Sequence, residues 1–283
     1  MTSTAAVVVT HNSQRWIEAT LRTVIEQTTP AEAVVIIDDA SVDDTVAIVR
    51  RLLGGEADVR PAESTDPVRV TRIAQNFEQG VRACADFELV VLGDHDDLWH
   101  ADRIAHQVRL LEQQPAMAMV ASDGRLVDVE GRAVGGTLRS VFPVAEGFNS
   151  MPPSEQMRET LRHSIATGGA SALRPALFAD LTVPPGWLHD RWWSLVATAM
   201  EAMLVDESVV IDYRISDEQE VGLERGSQGS AGVARLSQLK ASDGAGPLRK
   251  FRDVSTHLTR FSTPATRTEL STRRLVRNLL GKG

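Results

Sequence analysis

Apolar positions along the first half of the chain recur with two periods. Short β-branched runs at 5–10, 33–38, 68–71, 87–92 and 117–122 are brief and bounded by polar or glycine residues, the mark of buried strands. Between them Ile17, Leu21, Val24 and Ile25 share one helical face, and Ile104, Val108 and Leu111 share another. This alternation predicts an α/β fold with helices packed on a sheet. Ligands of such sheets bind outside the carboxyl ends of the strands.

Past residue 135 the pattern loosens, and 135–153, rich in Gly, Pro and Ser, reads as a mobile excursion. A helix is expected over 157–163 and a strand over 170–173, after Gly168-Gly169. The run from Pro184 to Trp193 reads as a turn opening a helix, with Val196, Ala199, Met200 and Met203 on its apolar face. A last strand falls at 208–213, and from Gly222 onward Gly/Ser-rich stretches precede weakly amphipathic basic segments.

Composition divides the chain in two. Its 283 residues suit one large domain or one domain with an appendage. The formal net charge of -8 hides an asymmetry: residues 223–283 hold 12 Lys and Arg against Glu224, Asp243, Asp253 and Glu269, leaving 18 bases and 34 acids in 1–222. An acidic domain over 1–222 with a basic, mainly helical extension over 223–283 is expected, and the acidic body speaks against nucleic-acid binding. The extension could lie on an anionic membrane surface, or pack against the acidic body of its own or a neighbouring subunit as a homo-oligomer contact. A lone Cys84, an N-terminus without a basic n-region, and no apolar run near the ~18 to 20 residues of a membrane span make a cytoplasmic location the expectation, with at most peripheral membrane contact.

The strand ends carry the candidate chemistry. They read Thr10-His11-Asn12, Asp38-Asp39, Gly93-Asp94-His95-Asp96-Asp97 and Ser122-Asp123. Each alone is an ordinary turn or helix cap. Four at four carboxyl ends place oxygen ligands along one edge of the sheet. Closely spaced carboxylates such as Asp94 and Asp96 repel one another unless a cation sits between them, and hard oxygens suit Mn²⁺ or Mg²⁺ completed by water and substrate phosphates. An exposed acidic turn capping the helix near Asp102 is the plainer alternative. Asp190 opens a helix, where the macrodipole favours the ionised form a general base needs. Trp187, Trp192 and Trp193 flank it; one is expected to pack inward, and one to face the cleft and stack on an acceptor sugar.

The phrases VVVTHNSQRWIEATLRTVIEQ, VVIIDDASVDDTVAIV, NFEQGVRACADFELVVLGDHDDLWHADRI, SDGRLVDVEG, TGGASALR and LHDRWW occur in this order over about residues 5–222. With them the chain resembles the family 2 glycosyltransferases of the GT-A fold, especially the rhamnosyltransferase-like branch. The resemblance implies a Rossmann-like, mixed but mostly parallel sheet flanked by helices. It implies an inverting, metal-dependent transfer from a nucleoside-diphosphate sugar, dTDP- or UDP-linked first, to a saccharide or lipid-linked acceptor in cell-envelope polysaccharide synthesis. On this sequence it would put Thr10, Asn12, Asp38, Asp39, Asn76, Asp94 and His95 at the nucleotide-sugar, Mn²⁺ or Mg²⁺ on Asp94 and Asp96, and Asp190 as catalytic base. Asp123, Trp187, His189, Trp192 and Trp193 would face the acceptor.

Two departures weaken the match. Ser216 stands where the branch keeps a histidine that can complete the metal shell, and His11 replaces its usual aromatic. A sugar-phosphate nucleotidyltransferase is a rival reading, against which the first loop, Thr10-His11-Asn12-Ser13, is no Gly-rich basic cradle for a triphosphate. A nucleotide-sugar-binding protein without turnover is the other rival, kept open by Ser216.

Overall fold

A computed structural model of the chain describes residues 2–54, 57–216 and 247–275. The strands are β1 (Thr4–Thr10), β2 (Ala33–Asp38), β3 (Asp58–Pro61), β4 (Leu89–Asp94), β5 (Leu98–Trp99), β6 (Met119–Val127), β7 (Ala133–Thr137), β8 (Ser171–Leu173) and β9 (Met203–Arg214). The α-helices are α1 (Ile17–Ile25), α2 (Thr45–Leu53), α3 (Arg69–Ala83), α4 (Arg103–Gln113), α5 (Leu138–Val141), α6 (Pro153–Arg162), α7 (His189–Ala199), α8 (Pro247–His257), α9 (Pro264–Arg267) and α10 (Thr272–Leu275).

The strands form one sheet in the order β3-β2-β1-β4-β8-β6-β9-β5, with β7 paired to β6. β1, β2, β3 and β4 are mutually parallel, as are β6 and β9; β8 runs against both its neighbours, β5 runs against β9, and β7 against β6. Because β8 opposes both β4 and β6, those two point the same way, so their carboxyl ends share one edge with those of β1 and β2.

Successive side chains of a strand point to opposite faces, and here both faces are covered. Ala6, Val8 and Ile36 meet Ile17, Leu21, Val49 and Ile104 of α1, α2 and α4 in one layer. Val7, Val35 and Ile37 meet Phe77 and Val81 of α3 and the apolar faces of α6 and α7 in the other. Every residue of β1 is buried, which is why it reads as an unbroken apolar run rather than an alternating one.

Two expectations are corrected. Residues 68–71 are no strand but the start of α3: Val70, Ala74, Phe77 and Val81 are all buried, a helical stripe that a four-residue window cannot separate from a strand. The third strand is 58–61, whose alternating charges hide it. The span 135–153 is also structured, holding the end of β7, the single turn α5 and a 3₁₀ turn with Phe148 buried. A capping box between Thr137 and Ser140 starts α5.

The expected boundary at residue 222 lies outside the described residues. The described part of the basic extension rests on the chain's own body: Val254, Leu258, Leu270 and Leu275 are buried in the layer of α6 and α7. Glu269, fully buried, is paired with Arg158 of α6 and with Arg274. Among the described residues no helix is long and apolar enough to cross a membrane.

Cys84 is buried at the end of α3, and burial pushes its thiol up to about 12. The native protein should therefore resist aromatic disulfide reagents at pH 8 and react only at the rate of unfolding. Prompt stoichiometric labelling of folded protein would contradict this packing.

Candidate active site

A cavity opens along the carboxyl edge of β1, β2 and β4. Its lining includes Thr10, His11 and Asp39 from the first two strand ends, Asn76 from α3, Asp94, His95 and Asp96 from the β4 loop, Gly168, His189 and Asp190, and Tyr213 at the end of β9.

The first two strand ends are cross-tied. Thr10 donates its hydroxyl to Asp38 Oδ1 at 2.8 Å, and Ser41 donates its hydroxyl to the same oxygen and its N–H to Oδ2. Asp38 is thus spent on holding two loops and does not line the cavity. Asp39 does line it and is paired with Arg72 of α3 at 2.7 Å. Asn12, expected at the nucleotide, instead sits exposed at φ 45° and accepts the Val42 N–H at 2.9 Å.

Asn76 is fully buried, lines the cavity, and has no hydrogen-bond partner for either side-chain atom. A buried amide left unpaired costs about 1–3 kcal/mol per group. An unspent donor and acceptor therefore face the place a ligand would occupy.

The β4 loop concentrates negative charge. Burial, and then the Asp96 carboxylate, push Asp94 up to about 7. Asp97 is pushed well up by burial and by Asp96 and Asp94; its Oδ1 accepts the Arg214 N–H at 3.0 Å and its Oδ2 is buried without a partner. A side chain at Gly169 would come within 2.7 Å of both Asp94 Oδ2 and Asp97 Oδ2, so only glycine lets these oxygens converge there. Beneath them lies Arg103, fully buried, donating to the Leu92 carbonyl at 2.7 Å and stacked on Trp99; burial lowers its guanidinium to about 9.

Among the described residues no group of three or more His, Cys, Asp or Glu is arranged to hold a metal ion. Two carboxylates, Asp94 and Asp96, face the cavity and suit an Mn²⁺ or Mg²⁺ that takes its remaining ligands from water and phosphate. Ser216 is buried just beyond β9 and does not line the cavity.

Asp190 sits in the first turn of α7. Its Oδ2 accepts the Gly168 N–H at 3.0 Å and its Oδ1 accepts the Arg191 N–H at 2.6 Å. Position at the helix start predicts a readily ionised carboxylate, but burial outweighs those bonds and pushes Asp190 up to about 6. Arg191 does not pair directly with it; its guanidinium donates to the carbonyls of Thr160, Leu161 and His163 at the end of α6. The adjacent glycines join the two acidic groups: Gly168 holds Asp190 while Gly169 borders Asp94.

The expected acceptor residues are redistributed. Trp187, Trp192 and Trp193 are 3%, 2% and 0% exposed, and none lines the cavity. Trp187 donates its indole N–H to Asp253 of α8 at 3.0 Å and stands edge-on to Trp192. Burying such large rings against the extension outweighs leaving one in the cleft. Asp123 lies inside β6, at an irregularity in its pairing with β9, and accepts the N–H groups of Gly124 and Arg139. It too is absent from the lining. His189 lines the cavity but stacks on Phe77 at 3.8 Å, and burial lowers it to about 3, so it is neutral at physiological pH.

Sequence reasoning missed Asp97, Arg103, Tyr213 and Phe142. The DHDD run held the signal for Asp97. Phe142 enters the lining from the segment expected to be irregular.

The sequence model of glycosyl transferase family 2 matches residues 5–182, and the chain belongs to that family. No curated protein matches it in sequence. The fold is shared with solved structures of low identity. S. aureus TarS 1-349 in complex with UDP-GlcNAc superposes with a TM-score of 0.56 at 16% identity, covering 97% of this chain and 72% of that one. Mannosyltransferase PcManGT from Pyrobaculum calidifontis, in complex with GDP-Man and Mn²⁺, gives 0.51 at 21%, covering 77% and 58%. Glucosyl-3-phosphoglycerate synthase from Mycobacterium tuberculosis, with Mn²⁺, UDP and glucosyl-3-phosphoglycerate, gives 0.52 at 16%, covering 75% and 72%. Against TarS 1-349 in complex with UDP the chain spans 61% of that chain's length.

Proposed function

We propose that the protein is an inverting glycosyltransferase that moves a sugar from a nucleoside-diphosphate sugar to a hydroxyl of a saccharide or lipid-linked acceptor. The observation that carries this reading is the convergence of Asp190 and the Asp94/Asp96 pair on one cavity, joined by Gly168-Gly169. Family membership supports it, as do the nucleotide-sugars and Mn²⁺ bound to proteins of the same fold.

Asp190, ionised above about pH 6, takes the proton of the acceptor hydroxyl as that oxygen attacks the anomeric carbon from the face opposite the diphosphate. The bond from anomeric carbon to diphosphate oxygen breaks, and its electron pair leaves with the diphosphate. Asp94 and Asp96 would hold the divalent ion, which when bound supplies positive charge to the departing diphosphate. Asn76 offers neutral hydrogen bonds to the donor, and Asp39, kept in place by Arg72, offers an acceptor to its nucleoside.

The test is incubation of full-length protein with a donor panel and Mn²⁺. dTDP-rhamnose comes first, because the Asp94-His95-Asp96-Asp97-Leu98-Trp99 phrase resembles that of the rhamnosyltransferase-like branch, followed by UDP-linked hexoses. Release of nucleoside diphosphate that EDTA abolishes, and a product of inverted anomeric configuration by NMR, are expected. A product of retained configuration, or nucleoside triphosphate-dependent release of pyrophosphate, would overturn the reading.

A further inference from the structure

The cavity lining also includes Phe142, Leu188, and Ser164, Ala166 and Thr167 of the loop whose Gly168 N–H holds Asp190. We propose that this wall is the acceptor subsite and that it takes an uncharged saccharide, whose apolar ring face lies on Phe142 and Leu188. The proposal rests on the transferase reading and specifies its acceptor class.

The wall is built as one unit with Asp190. Phe142 ends the single turn α5, its N–H bonded to the Leu138 carbonyl at 2.7 Å. Asp123 accepts the Arg139 N–H at 3.1 Å, and the Arg139 guanidinium donates to the carbonyls of Ala121 at 2.9 Å and Ile165 at 2.7 Å. The turn bearing Phe142 is thereby fastened to the 164–168 loop, whose Gly168 N–H holds Asp190. A platform and a base fixed to the same loop keep an acceptor hydroxyl in register with the base.

Charge decides the class of ligand. Asp39, Asp94, Asp96 and Asp190 face the cavity, and among the described residues no Lys or Arg lines it. The surrounding arginines are turned onto the protein itself. Arg72 engages Asp39, Arg103 the Leu92 carbonyl, Arg191 the end of α6, and Arg214 the carbonyls of Asp96 and Val129. The divalent ion on Asp94 and Asp96 would be taken up by the donor diphosphate, so a phosphate or carboxylate on the acceptor wall would meet Asp190 and no Lys or Arg. A neutral pyranose offers an apolar face to the aromatic ring and hydroxyls to Ser164 and Thr167.

The experiment is saturation-transfer NMR on full-length protein with Mn²⁺ and UDP or dTDP, using octyl glucoside, galactoside and mannoside against octyl glucuronide and glucose 6-phosphate. At least one neutral glycoside should bind saturably and more tightly than the anionic probes. Phe142→Ala should weaken it about tenfold and Phe142→Tyr should preserve it. Ser164→Lys, which leaves the platform intact, should improve the anionic probes about tenfold and so covers the case in which Phe142→Ala fails to fold. Tighter binding of the anionic probes by wild-type protein, no saturable binding of any neutral glycoside, or indifference to both substitutions overturns the proposal. Nucleotide binding in the same samples tests the transferase reading separately: its loss sinks that reading, whereas nucleotide binding without a neutral-glycoside preference sinks only this one.

Discussion

Asp190→Asn lowers kcat by about 10²- to 10⁴-fold while nucleotide binding persists, because the substitution keeps the shape of the side chain and removes its ability to take a proton. Wild-type kcat/KM should rise with pH through about 6, the value to which burial pushes Asp190, and the limb should be missing from the residual activity of the variant. The sign for stability follows from the same shift. A carboxyl raised above its unfolded value binds its proton more tightly in the folded state, so the ionised form costs stability once pH climbs from about 4 past 6. The difference in melting temperature between Asp190→Asn and wild type, measured by calorimetry without metal, should therefore move in the variant's favour between pH 4 and pH 7.5. Near wild-type turnover with the right donor and acceptor would remove Asp190 from the mechanism.

Asp94→Asn and Asp96→Asn should each reduce Mn²⁺-supported turnover by about 10²-fold or more, since charge on the departing diphosphate is then left poorly compensated. Titration calorimetry should show weakened Mn²⁺ binding in both. The same substitutions should raise the melting temperature of the metal-free protein, because Asp94, Asp96 and Asp97 are crowded and Asp97 Oδ2 is buried without a partner. Each kcal/mol of relieved repulsion corresponds to roughly 2–4 °C in a chain of this size. Wild-type Mn²⁺ affinity in both variants would refute the assignment; an unchanged melting temperature would show that the carboxylates do not oppose one another.

Legibility varied along the chain for physical reasons. β1, β2 and β4 stood out because strands buried on both faces must be apolar throughout, and Asp94 and Asp190 stood out only in company, as acidic groups at a strand end and a helix start within an ordered series of such phrases. The 68–71 run misled because four residues, three of them β-branched, carry no period long enough to tell a helical stripe from a strand. The tryptophans misled for a different reason. Size and neighbourhood to Asp190 suggested a sugar platform, but which way a ring points depends on what packs behind it, and behind Trp187 stands Asp253 from a segment more than sixty residues away.

The alternation of periods, the order of the acidic phrases and the split in charge are local properties, so the α/β class, the sheet edge that carries the chemistry and the family are determined by the sequence itself. Only the tertiary structure decided that Asp38, Asn12 and Asp123 lie outside the cavity lining and hold neighbouring loops by hydrogen bonds, that Phe142 lines the cavity and no tryptophan does, and that burial pushes Asp190 up to about 6. Those outcomes turn on burial and on hydrogen bonds between residues far apart in the chain, and neither quantity exists until the layers have closed.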